Sequence, residues 1–66
     1  MLSDRCIEEL RGDYRRVYNT GDMEKFKEVV KKSGRYISIY GASGEQLDLL
    51  CRMSMLAKRR CRKGVI

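Results

Sequence analysis

Only one stretch of this chain, Arg35-Tyr36-Ile37-Ser38-Ile39-Tyr40, alternates like a β-strand, and nothing else in the sequence offers it a partner. A lone strand cannot satisfy its backbone groups or build a stable sheet. Elsewhere apolar residues recur at helical spacing. The fold class that follows is mainly α: a two-helix antiparallel hairpin, a short extended or β segment over 35–40, then a longer C-terminal helix, in one small domain spanning 1–66. The segment has two main solutions. It pairs with its copy in a second subunit, or it lies as an extended connector over the helices. A short helical or 3₁₀ turn is the remaining option.

The first helix is expected over about 4–18. Ser3 is placed as N-cap, Asp4 suits the positive helix end, and Leu2 with Ile7 can staple the entry. Ile7, Leu10, Tyr14, Val17 and Tyr18 form one apolar face, leaving Arg11, Asp13, Arg15 and Arg16 wet. Gly12 costs such a helix about 1 kcal/mol relative to Ala. Asn19-Thr20-Gly21 stops it, with Thr20 able to cap the next. The second helix is expected over about 21–32, with Met23, Phe26, Val29 and Val30 apolar and Ser33-Gly34 as its end. A link this short makes the pair antiparallel.

The third helix is expected over about 44–62. Ser43 and Gln46 have the spacing of a capping box. Its apolar positions cover more than half the circumference, so it should pack on more than one side. Leu47, Leu50, Ser54 and Ala57, followed by Cys61, form a heptad-like seam suited to a partner chain. Leu49, Met53 and Leu56 are left to face the hairpin. Tyr36, Ile37, Ile39 and Tyr40 on the extended segment complete the expected partner interface, and a homodimer is the expected assembly.

Charge divides the chain unevenly. Residues 1–34 hold eight Lys/Arg against seven Asp/Glu, whereas 35–66 hold seven against two. Lys58, Arg59, Arg60, Arg62 and Lys63 crowd the end of the third helix and wrap around it as a knob. Such a field suits a polyanion, and phosphate is its commonest source. Arg35 joins the knob as a candidate nucleic-acid contact.

Other classes are less well served. The chain has no His, and no Ser or Cys stands beside an evident base, so an enzyme is not expected. Three cysteines (Cys6, Cys51 and Cys61) without CxxC spacing suit neither a zinc site nor a disulfide framework, and no cofactor is implied. They fit a reducing compartment. Asp4, Glu8 and Glu9 interrupt any early leader-like run, and no stretch approaches a transmembrane segment, so the cytoplasm is the expected location. Arg35 to Arg60, with its alternating run, polar cap and Leu-rich helix, resembles the strand and first helix of ribbon-helix-helix DNA-binding proteins. That resemblance implies paired chains whose strands enter the major groove. Here the remaining helices precede the strand instead of following it. The function expected is a small basic regulatory or accessory module that binds nucleic acid through the C-terminal helix end. The alternative is a protein–protein adaptor or inhibitor that uses the apolar third helix and the strand edge.

Overall fold

Residues 1–62 are described by the structure, a computed structural model, and they form three helices: α1 (Asp4–Thr20), α2 (Met23–Tyr40) and α3 (Gly44–Arg62). Each begins on a side chain that can replace missing helical partners. Ser3 Oγ accepts from the Cys6 N–H at 3.2 Å, and Leu2 and Ile7 are both buried around that cap. α1 ends at Gly21, whose φ of 69° is left-handed and whose N–H donates to the Val17 carbonyl at 2.7 Å. The cap of α2 is Asp22, two residues after the expected Thr20. Its Oδ1 accepts from the N–H groups of Glu24 at 3.0 Å and Lys25 at 3.4 Å. Thr20 instead donates its hydroxyl to the Val17 carbonyl.

The expected extended segment does not exist. Residues 35–40 are the last turns of α2, which runs unbroken through Ser33 and Gly34 to Tyr40. Among the described residues there is no strand. The physical reason is tertiary. β-propensity measures fit to a pleated, half-buried surface, and this chain supplies none. Helical continuation satisfies the backbone within the segment. It also places Val29, Ser33 and Tyr36 in one line against α1. The Tyr36 hydroxyl donates to Glu9 at 2.8 Å. Tyr36 and Tyr40, one turn apart, meet edge-to-face at 6.1 Å. Lys32 adds ion pairs to Glu9 and to Asp13, the latter at 2.8 Å. These contacts outweigh the intrinsic cost of Gly34, about 1 kcal/mol. Gly41 then breaks the helix at a φ of 76°.

α3 starts with the expected capping box. The Gln46 N–H donates to Ser43 Oγ at 3.2 Å, and the Ser43 N–H donates to Gln46 Oε1 at 3.1 Å. Gln46 Nε2 also donates to the Leu2 carbonyl at 2.9 Å, which fixes the start of α3 beside the start of α1. At the other end Arg60 meets Tyr18, so α1 and α3 run parallel and α2 runs against both. The core joins Leu2, Ile7, Leu10, Tyr14, Val17 and Val29 to Leu50, Ala57 and Cys61. Each large aliphatic side chain among these contributes about 1.5–3 kcal/mol on full burial.

The seam expected to meet another chain therefore faces inward. Leu50 and Ala57 are core residues, Ser54 is half-buried and only Leu47 is exposed. The small side chains of Ser54, Ala57 and Cys61 admit α1 and α2 of the same chain. No helix among the described residues is long and apolar enough to cross a membrane.

Candidate functional site

Packing turns the uneven charge of the sequence into a charged end of the bundle. The half of the molecule containing residues 12–31 and 53–62 holds nine Lys/Arg against four Asp/Glu. The half containing 1–11 and 32–52 holds five of each. The C-terminal turns of α1 and α3 and the first turns of α2 meet at the basic end. Arg15 and Arg16 come from α1, Lys25, Lys27 and Lys31 from α2, and Lys58, Arg59 and Arg60 from α3. All eight are exposed.

Ion pairing separates the two halves further. Glu8 holds Arg11 at 3.7 Å, Asp48 holds Arg52 at 3.2 Å, and Lys32 bridges Glu9 and Asp13. Every cation in those pairs belongs to the neutral half. None of the eight exposed cations of the basic end has a carboxylate within ion-pair distance among the described residues. Arg60 is held differently. Its guanidinium lies 5.2 Å above the Tyr18 ring, and its Nε donates to the Tyr18 carbonyl at 3.3 Å. The carbonyl belongs to the last turn of α1, so Arg60 ties the two parallel helices at their C-terminal ends.

The Lys32 cluster is structural in character. Hydrogen bonds from Lys32 first, then from Tyr36, hold the Glu9 carboxyl below its usual range. Asp13 and then Glu9 raise the Lys32 ammonium in turn. The bridge clamps α2 to α1 midway along both. Tyr14 is raised by burial, partly offset by its hydrogen bond with Ser33. Cys61 is buried, which raises its thiol, whereas Cys6 is half-buried and Cys51 is exposed. Among the described residues no group of three or more His, Cys, Asp or Glu is arranged to hold a metal ion.

The sites expected from sequence divide accordingly. Lys58, Arg59 and Arg60 lie together at the basic end. Arg62 belongs to the last turn of α3, and Lys63 lies outside the described residues. Arg35 does not join them. It lies near the level of Glu9, roughly 13 Å along the axis from the Tyr18 level that Arg60 reaches. Tyr36 and Ile37 are half-buried against the bundle, and Ile39 and Tyr40 are exposed at the neutral end.

One feature went unsuspected in the sequence. A groove runs between α1 and α3, lined by Arg11, Tyr14, Arg15, Tyr18, Met53, Leu56 and Ala57. Arg11 and Arg15 were readable only as wet positions. Their approach to Met53 and Leu56 depends on the parallel packing of two helices distant in sequence. Compared with protein families, with characterised proteins and with solved structures, the chain matches none.

Proposed function

We propose that this chain is a small regulatory or accessory module that binds nucleic acid through the basic end of its bundle. The observation that carries the reading is the segregation of ion pairs. Three of the five cations in the neutral half (Arg11, Lys32 and Arg52) are matched by carboxylates, whereas the eight exposed cations on three helices at the other end have no such match among the described residues. Each unmatched exposed cation that meets a phosphate releases a counterion condensed on the nucleic acid. The surface is wider than the α3 knob alone, because Arg15, Arg16, Lys25 and Lys27 extend it over α1 and α2. With residues 35–40 helical, a strand edge supports neither a homodimer nor groove-reading by a ribbon.

The test replaces Arg16, Lys58 and Arg59 together with Gln, which keeps helix propensity nearly unchanged. Affinity for duplex and single-stranded oligonucleotides is measured across a salt series. The slope of log K against log salt should fall by about 0.9 per lost duplex contact, or about 0.7 on a single strand. The control, Arg5→Gln with Arg35→Gln, removes cations from the neutral half and should leave the slope unchanged. Wild-type chain that fails to bind either nucleic acid at low salt would refute the proposal.

A further inference from the structure

The groove between α1 and α3 has a composition that phosphate binding does not use. Its floor is formed by the Tyr14 and Tyr18 rings, Met53, Leu56 and Ala57. Tyr18 remains 43% exposed and Leu56 53% exposed, so this apolar surface is open to solvent. Arg60 braces the Tyr18 ring from its own helix end. From Arg11 to Tyr18 the α1 wall spans about two helical turns, roughly 10 Å. One apolar stripe of a short helix needs that length.

The rim chooses among occupants. Arg11 and Arg15 stand one turn apart on the α1 wall. Arg15 has no carboxylate partner among the described residues, and Arg11 has only the exposed Glu8 at 3.7 Å, a pair that rearranges at little cost. We propose that this groove docks an acidic amphipathic helix of a partner protein. Its Leu, Ile or Phe side chains at i, i+4 and i+7 would lie on Met53, Leu56 and Tyr18. Its Asp or Glu residues would meet Arg15 and Arg11, the helix-in-groove mode with charge complementarity. A second copy of this chain suits the groove poorly, because a two-fold contact would bring the arginine rims together. An unpaired base needs an exposed aromatic face to stack on, and the floor offers only Tyr18, whose ring already carries Arg60, because Tyr14 is buried. The proposal shares Arg15 with the nucleic-acid reading, but its apolar contacts, Met53, Leu56 and Tyr18, are ones that reading leaves unused.

The experiment selects binders to the full chain from a displayed library of randomised helical peptides about four turns long. Winners should carry large apolar residues at i, i+4 and i+7, flanked by Asp and Glu. Leu56→Gln should weaken them by at least about tenfold. It should leave oligonucleotide affinity and the far-UV circular dichroism unchanged. As a second variant, Arg15→Glu should turn selection toward Lys- and Arg-flanked winners. The proposal is overturned if no sequence enriches, or if winners bind Leu56→Gln as well as wild type. It is overturned equally if a single-stranded oligonucleotide displaces them and itself loses affinity with Leu56→Gln. A wild-type dimer that Leu56→Gln dissociates would assign the groove to self-association instead.

Discussion

Replacing Gly34 with Ala should stabilise this protein, and the sign of that effect tests whether α2 is continuous. Gly34 lies within α2, and a Cβ built on it meets no atom within 4 Å. Nothing opposes the methyl group, so the change reports the backbone alone. In a helix interior Ala is favoured over Gly by about 0.8–1.0 kcal/mol. For a domain this small, 1 kcal/mol moves the midpoint by roughly 4–8 °C. Thermal and urea melts followed at 222 nm should therefore show a rise of about that size, with an unchanged urea slope. Gly41→Ala supplies the opposite sign. Its φ of 76° and ψ of 165° fall in a region nearly restricted to glycine, and forcing Ala there costs about 1–3 kcal/mol. If Gly34→Ala were neutral or destabilising, residues 33–34 would be a chain break, and the helical assignment of 35–40 would fail.

Gln46→Ala should cost about 1–2 kcal/mol in a urea melt, because it removes both the reciprocal cap and the tie to the Leu2 carbonyl; an effect under a few tenths would deny the tie. In native protein a thiol reagent should modify exposed Cys51 first and buried Cys61 only at the rate of unfolding, so equal rates would contradict the packing of α3. Glu9 is depressed in the folded state, so its contribution is fully present above the ordinary carboxylate range and lost as pH falls through its lowered value. Lys32 is raised, so its share persists below the ordinary lysine range and is lost only as pH rises through its folded value. The melting points of wild type and Glu9→Gln should accordingly differ at neutral pH and converge in acid, whereas a constant offset would show that the Lys32 bridge contributes nothing.

The parts of this fold that the sequence made legible are those governed by local chemistry. Ser3, Gly21 and the Ser43–Gln46 pair act within a turn of their own position, and they mark helix ends as expected. Ile7, Leu10, Tyr14 and Val17 formed an unbroken stripe and became the core. The 35–40 run is helical despite its strand-like pattern because its local preference is real but unsupported. Ile37, Ile39 and the tyrosines favour a strand only where another strand exists, and the decisive contacts, Tyr36 to Glu9 and Lys32 to Asp13, lie far away in the chain. The apolar pattern of α3 gave two candidate faces without saying which turns inward. Its smaller side chains settled that by allowing α1 to approach. The basic run on α3 was plain as a charge cluster. Its extension over α1 and α2 was not, because only antiparallel packing of α2 brings Lys25 and Lys27 to the same end. Arg60 and Tyr18 are 42 residues apart, and no local pattern links them.

Amide chemical-shift mapping with a short oligonucleotide tests the basic end as the binding surface most directly. Increments of oligonucleotide at low salt should shift the amides around Arg15, Arg16, Lys25, Lys27, Lys58 and Arg59 together. Those around Arg5, Arg35 and Asp48 should stay in place, and added salt should reverse the changes. Shifts centred on the neutral end, or none at all, would contradict the account.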